Sequence, residues 1–452
     1  MAAENSYAGG LFFLFMKHIS DQTEKVLSDV TLIDGTGQTA SENMSIILKG
    51  NRIKAVGKKG KIKVPRDAEV IELHNNWVIP GLIDAHCHPF VTKAWTQKGS
   101  RLDLLEKADR CENALRQYLA SGVTTIADAG GDEEEALRIR DTLAKGTEVA
   151  PRILLAIMIT NKNGHGREFG AFSFGRVLDD SRSIDHHLDE AVKLNFDFVK
   201  LIIEPRIGEP FSYDQLKRIL EGCHKRRLRV MTHNEILETH DVSILKLGPT
   251  ATSHVPVDGT LTEEILNTYR SNRIYTIPTA FVLCFIGDFT QNPQRRFFED
   301  DFHRRIVSPE VLKHYSPDVF WSTRDPLKDH REEMRKNVRK NIQLLHEHGA
   351  QFGVGSDAPM PGAFYGAGVH DEMQELVKCG LTPMEAIIAA TRNNAELLGV
   401  INNRGTVEPG KFADLVVLSA CPLEDITNTH KIQCVVKDGI FLDPEKILQM
   451  SH

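Results

Sequence analysis

Between about Trp77 and Gly399 the sequence alternates short runs rich in apolar and β-branched residues with longer amphipathic segments, and no other feature narrows the choice of fold as much. Eight runs stand out: GLIDAHCH, VTTIADAG, RILLAIMIT, FDFVKLII, LRVMTHN, ATSHVP, RIYTIPT and AQFGVGSDAP. Strands that alternate with helical segments form parallel sheets, because a parallel pair needs a crossover long enough to hold a helix. Eight such units predict a (β/α)8 TIM barrel, an α/β fold whose functional residues sit at the C-terminal ends of the strands. An open doubly wound sheet would require a glycine-rich phosphate loop after the first strand, and AHCHPF is not one.

The two ends of the chain read differently. KVLSDVTLIDGTG, SIILKGNRIKAVG and AEVIEL near the start, and KFADLVVLSA and IQCVVKDGIFL near the end, are short strands with glycine-bearing turns. They predict a small β-sandwich formed from both chain ends, residues 25–76 and 400–452, with the barrel at 77–399 inserted between them. KGNRI predicts a hairpin turn at 49–52, with Gly50 and Asn51 both suited to positive φ. LTPMEAIIAATRNNAELLG is the best-marked helix: Thr382 is its N-cap, Pro383 opens the first turn, Glu385 completes a capping box and Gly399 stops it. Residues 280–329, rich in aromatic and charged side chains, make an unusually long connection between the seventh and eighth strands, of the kind that covers active sites.

Acidic residues outnumber basic ones, 62 to 55, for a formal charge of -7, which leaves no electrostatic footprint for nucleic acid. A small-molecule substrate fits better. The 7 cysteines contain no CxxC pair, which speaks against a disulfide framework or a cysteine zinc site and for a reducing cytoplasm. LFFLFM, at 11–16, is far shorter than the roughly 20 residues a spanning helix requires. MAAENSYAGG before it lacks the basic start of a signal peptide, so 1–24 is expected to be an N-terminal extension without a membrane role.

Chemistry-bearing residues gather at the ends of the eight runs. The first ends in His86 and His88, the fourth carries Lys200, the fifth His233, the sixth His254 and the eighth Asp357. Side chains two apart on a strand share a face, so His86 and His88 reach into one space while Cys87 turns away. One histidine at a strand end is usually just a hydrogen-bonded polar residue; six such residues at equivalent ends indicate one shared site. Imidazole nitrogen and carboxylate oxygen suit a divalent first-row ion such as zinc, and a hydrolytic site leaves one position to water. A charged Lys200 would be repelled by such an ion. Carbon dioxide resolves the conflict by converting the amine to a carbamate, an anion able to bridge two metals that together would acidify a water.

Taken together, VIPGLIDAHCH, the VK of the fourth run, THN, SHV, GVGSDAP, the segment GAGVHDEMQELVKCGLTPMEAIIAATRNNAELLG and GTVEPGKFADLVVL resemble the amidohydrolase superfamily. The likeness is to its prolidase-like and imidazolonepropionase-related branch and extends from about Lys25 to Leu442. It implies a binuclear centre of two divalent ions, expected to be zinc. His86, His88 and Asp357 would bind one ion, His233 and His254 the other, and carboxylated Lys200 would bridge them. Asp357 would also be the catalytic proton shuttle, and metal-bound hydroxide would cleave an amide-type bond in a dipeptide such as Xaa-Pro, an N-acyl amino acid or a cyclic amide. The resemblance further implies a homo-oligomer. His165, in the GHG of NKNGHGREFG, and His370, in GVHDEM, match the family pattern and are candidates for touching substrate.

Two other readings stay open. A mononuclear deaminase would carry His-x-x-Glu after the fifth strand; here HNEI puts Glu235 only two positions beyond His233. A non-catalytic oligomeric scaffold would have lost ligands, whereas all six positions are filled. A free substrate carboxylate would require a cation, for which Arg295, Arg296, Arg304 and Arg305 in the long insertion are candidates, with Phe297, Phe298 and Tyr315 as an apolar wall. The tyrosine that some peptidase relatives carry after the fifth strand is missing here.

Overall fold

Gly81 is the only residue between two strands that belong to different sheets, and the whole architecture hangs on that passage. The computed structural model describes residues 23–74, 76–90, 110–146, 149–161, 175–178, 183–206, 208–291, 299–314, 330–360 and 362–449. The N-terminal strands are β1 (Lys25–Leu32), β2 (Ser41–Lys49), β3 (Arg52–Lys58), β4 (Glu69–Glu72) and β5 (Trp77–Pro80). Beyond Gly81 come β6 (Leu82–Cys87), β7 (Val123–Asp128), β8 (Arg152–Thr160), β9 (Arg176–Val177), β10 (Phe198–Ile202), β11 (Arg229–His233), β12 (Ala251–Ser253), β13 (Tyr275–Ile277) and β14 (Gln351–Phe352). The chain finishes with β15 (Leu415–Leu418), β16 (Ile432–Lys437) and β17 (Ile440–Leu442).

The first sheet runs β17-β16-β15-β5-β1-β2-β3, with β4 beside β1, so both chain ends share one sheet. β15 lies antiparallel to β5, with Val416 opposite Ile79. Beyond β3 the pairing continues onto the segment leading into β15, where Ile53 N donates to Lys411 O and Ala413 N to Asn51 O. Leu27, Ile46, Ile53, Val78, Leu415 and Val436 are buried together in its core. The hairpin between β2 and β3 forms at the expected place, but only Gly50 takes positive φ (53°); Asn51 does not. Such a turn uses its left-handed residue at the first central position alone.

All eight expected runs are strands of the second sheet. They stand in chain order, β6-β7-β8-β10-β11-β12-β13-β14, with β9 beside β8, and their pairings are parallel. β14 is short, and residues 354–358 beyond it complete the circuit back to β6. Ala85 N donates to Val354 O at 3.0 Å, Asp357 N to His86 O at 2.8 Å and His88 N to Ala358 O at 2.8 Å. This is the strand arrangement of a (β/α)8 barrel, with an interior filled by Ile83, Ala127, Leu154, Phe198, Met231 and Ile277.

The helix expected at 382–399 begins as its sequence dictates. Thr382 accepts from Glu385 N while the Glu385 side chain reaches back to Thr382 N, a complete capping box. After Ile388 the helix widens through a π turn, Ala389–Asn393, and then presents Asn394 to the barrel. Asn394 Nδ2 donates to Ile83 O at 2.7 Å and Val354 O at 2.8 Å, and its Oδ1 accepts from Val354 N at 3.0 Å, so one side chain ties the first strand to the last. No helix among the described residues is long and apolar enough to cross a membrane.

Candidate metal centre

The two histidines of β6 reach the barrel interior through an irregularity in that strand. In the β6–β7 ladder Asp84 faces Ile126 and Cys87 faces Asp128, three steps on one strand against two on the other. The extra residue is a bulge, which resets the alternation of side chains. Ile83 and Ala85 lie in the interior cluster, yet Cys87 packs outward with Cys111 and Leu115 of the helical layer. His86 and His88 therefore both point inward, where unbroken alternation from Ala85 would have left them outside.

There they meet Asp357. His86 Nε2 is 3.2 Å and His88 Nε2 3.3 Å from Asp357 Oδ1, and one ligand atom from each of the three residues lies within 4.8 Å of the others. The rings of His254 and His233 follow in sequence around the mouth, with centroids 5.2 Å from His86 to His254 and 4.3 Å from His254 to His233. Lys200 Nζ stands beneath, 3.5 Å from His86 Nδ1 and donating to Ser253 Oγ at 2.6 Å. Five of the six predicted ligands are thus joined by direct contacts, and His233 joins through His254.

Three of the imidazoles are held from behind. His88 Nδ1 donates to Gly130 O at 2.7 Å, His254 Nδ1 meets Thr279 Oγ1 at 2.6 Å, and His86 Nδ1 lies 3.1 Å from Ser253 Oγ. Such contacts fix the tautomer and free the other nitrogen. For His88 the consequence is direct. With its proton on Nδ1, its Nε2 lone pair faces a carboxylate oxygen at 3.3 Å, and two acceptors at that distance need a cation or a proton between them. The donor set, neutral nitrogens with one carboxylate, fits a divalent first-row ion.

Electrostatics agree. Burial, then the neighbouring Lys200 charge, lowers His86 to about 3, and burial holds His254 well below the usual histidine value, so both rings are neutral. Burial alone would raise Asp357, but the hydrogen bonds of His86 and His88 bring it well below the ordinary carboxylate range. His88, lowered by burial and raised more by Asp357, ends above its usual value. Burial pushes Lys200 down to about 7. Backbone conformation is unusual here as well: His254, Thr279 and Asp357 have φ of 72°, 47° and 56°. Left-handed residues of these types are costly and are kept where surrounding bonds demand them.

Other predicted residues are distributed elsewhere. His165 lies outside the described residues, as do Arg295, Arg296, Phe297, Phe298 and Tyr315. His370 is not brought to this cluster: its Nε2 meets Ser121 O at 2.8 Å, beside the start of β7 at the opposite end of the barrel, and its Nδ1 meets Thr429 Oγ1 at 2.9 Å. With both nitrogens engaged and burial lowering it to about 3, the ring serves packing there rather than substrate contact. Arg304 makes an exposed pair with Asp301, and Arg305 donates to His430 O. Glu235, at the wrong sequence spacing for a deaminase, still reaches within 3.7 Å of His233 Nε2, held by Arg206 at 3.5 Å. Arg206 is in turn anchored on buried Glu204 at 2.6 Å. Sequence reasoning missed Ser253 and Thr279; the signal available was a hydroxyl residue beside His254 and another just after the seventh strand.

A barrel with histidines, a carboxylate and a lysine gathered at its strand ends defines a class, the metal-dependent barrel hydrolases. Residues 77–284 and 299–441 match the amidohydrolase family, and the chain belongs to it. It is accordingly an enzyme, a hydrolase of carbon–nitrogen bonds acting on small molecules. Among similar proteins, an enamidase of Eubacterium barkeri is 22% identical over 381 residues, 83% of this chain and 81% of its own. An imidazolonepropionase of Pyrobaculum arsenaticum is 49% identical over 51 residues, 11% of each chain. The crystal structure of a Xaa-Pro dipeptidase with bound methionine superposes with a TM-score of 0.73 at 22% identity, covering 93% of this chain and 100% of that one.

Proposed function

We propose that this protein is a binuclear, zinc-dependent amidohydrolase cleaving an amide-type bond in a dipeptide such as Xaa-Pro, an N-acyl amino acid or a cyclic amide. The observation that carries this reading is Lys200: fully buried at the base of the histidine cluster, it has Ser253 as its hydrogen-bond acceptor, and among the described residues no carboxylate lies within ion-pair range. Burial brings its pKa down to about 7 against the pull of the Asp357 charge, so near neutral pH a substantial fraction is the free amine, the form that carbon dioxide carboxylates. His86, His88 and Asp357 would hold one ion, His233 and His254 the second, and carbamylated Lys200 would lie between them. Bound divalent ions would acidify a water and polarise a carbonyl.

The chain's own groups supply the rest. Asp357 turns Oδ1 toward His86 and His88, which leaves Oδ2 to take a proton from the attacking water and return it to the leaving nitrogen. Ser253, Gly130 and Thr279 keep the imidazoles oriented. The names enamidase, imidazolonepropionase and Xaa-Pro dipeptidase among its relatives support a carbon–nitrogen substrate. To the same proposal belong a β-sandwich made of 25–76 and 400–452, supported by the pairing of β3 with 411–413, a cover formed by 280–329, of which 292–298 and 315–329 lie outside the described residues, a homo-oligomer, and a cytoplasmic location, supported by seven cysteines that form no disulfide.

The 3.7 Å approach of Glu235 to His233 favours a mononuclear aminohydrolase as the second reading. Elemental analysis of protein produced with zinc and bicarbonate, beside Lys200→Ala, separates the two. About two metals per chain, falling in the variant, support the bridged pair and justify a library of dipeptides, N-acyl amino acids and lactams. About one metal in both proteins favours deamination, and none overturns the proposal in favour of a scaffold.

A further inference from the structure

At the end of the barrel opposite the metal cluster, where β8 begins, a cavity of about 370 Å³ opens between the barrel floor and the first sheet. Its lining includes Arg140, Arg152, Arg404, Phe412, Lys437 and Asp438. That is four cations against one anion, and their pairing can be followed group by group. Arg152 forks onto Asp414 and Asp438. Lys437 donates to Asp438 at 2.6 Å and lies 3.6 Å from Asp414. These two carboxylates and two cations balance. Arg140 is occupied by Asp141, Leu194 O and Asn195 O.

Arg404 is left over. Among the described residues it forms no ion pair; its one hydrogen bond is a long one, to Thr125 Oγ1 at 3.4 Å, and its Nε is buried without a partner. It is also crowded by like charge. The Phe412 ring carries Arg52 at 3.8 Å and Arg152 at 3.7 Å, which must take opposite faces, with Arg404 at 5.3 Å. Burial, then the Arg152 charge, brings the Arg404 guanidinium down to about 10, and the nearby Asp414, Asp197 and Asp438 carboxylates, none in ion-pair contact with it, offset only part of that. A water could satisfy Nε, but a neutral molecule would leave the repulsion between Arg404 and Arg152 in place.

We propose that this cavity binds a small oxyanion, phosphate or a phosphate monoester, against Arg404, the cation that the neighbouring carboxylates leave without an ion pair. Guanidinium groups grip tetrahedral oxyanions through paired N–H donors. The volume, at the lower end of the range for small-molecule sites, holds a phosphate with a short organic group attached. The site is separate from the metal centre and makes no use of its ligands.

Isothermal titration of the metal-loaded protein with inorganic phosphate, and then with glycerol phosphate, at constant ionic strength tests the proposal. The parent should bind one phosphate per chain at this site, and Arg404→Gln should bind it at least ~10-fold more weakly while hydrolytic activity and metal content stay unchanged. Phosphate binding that is the same in Arg404→Gln as in the parent, as binding at the metals alone would be, overturns the proposal, as does binding no tighter than that of chloride. Should Arg404→Gln fold poorly, Ala144→Glu at the exposed rim supplies an internal carboxylate instead. A well-folded Ala144→Glu that has lost the phosphate response supports the site; one that keeps it overturns the site.

Discussion

Asp84 and Ser356 join the two ends of the barrel circuit: Ser356 N donates to Asp84 Oδ1 at 3.0 Å, and the Ser356 hydroxyl donates to Oδ2. Burial pushes the Asp84 carboxyl up to about 6, so these bonds offset only part of the cost of its charge. Ser356→Ala should cost about 1–3 kcal/mol at neutral pH, read from the urea midpoint at constant slope. The folded pKa lies above the unfolded value of about 3.9, so the contribution of Asp84 is full below about pH 4 and is lost as pH rises through about 6. Asp84→Asn should flatten that part of the stability profile.

Asp357 serves as ligand and proton carrier in the proposed chemistry. Asp357→Asn preserves its volume but removes the charge, and kcat should fall by about 10²–10⁴ with the fold retained. Chelation should likewise abolish activity, and zinc should restore it. Undiminished turnover in either case would remove the mechanism.

Thr279 tests how the histidines are held. Thr279→Val keeps the shape but takes the hydroxyl from His254 Nδ1. Metal affinity should drop about 10–100-fold, measured by competition with a chromophoric chelator, and Thr279→Ser should recover most of it. Equal losses in both variants would mean that packing, not the hydrogen bond, positions His254.

His303 lies between Asp300, 2.6 Å from its Nδ1, and Asp371, 3.1 Å from its Nε2. Burial lowers its pKa, but the carboxylates outweigh this and raise it to about 10. A raised histidine stabilises fully below about pH 6.5, and its contribution is lost as pH rises through about 10. Thermal midpoints should therefore fall toward pH 10 in the parent, and His303→Gln should start lower and vary less. A parent midpoint level across that range would count against a charged His303.

Much of the architecture was legible because strand runs and their end residues repeat with the barrel's own period. His86, His233, His254 and Asp357 could be named from strand ends alone, since the ends of parallel strands share one mouth, whereas Lys200 lies mid-strand in β10 and reaches the cluster from below. Two features could not. The bulge in β6 leaves no mark in the alternation of VIPGLIDAHCH, which merely supplies the inward pair, and the support from Thr279 depends on a left-handed backbone that a β-branched residue gives no reason to expect. His370 failed to reach the mouth for a related reason: position after the eighth strand says nothing about which end of the following helix faces the cluster. That helix, Ala367–Lys378, carries it to Ser121 instead.

The shared first sheet sets an order of events during synthesis. Asn76 and Gln433 are hydrogen-bonded although 357 positions apart, and β5 finds its antiparallel neighbour only when β15 has left the ribosome. At about 5–20 residues per second, that interval is tens of seconds. During it the apolar edge of β5 waits uncovered while the barrel strands that follow it are made. Chains that stop before residue 415 would thus lose more than a tail: they would carry a permanently open strand edge, the surface on which chaperones and aggregation compete.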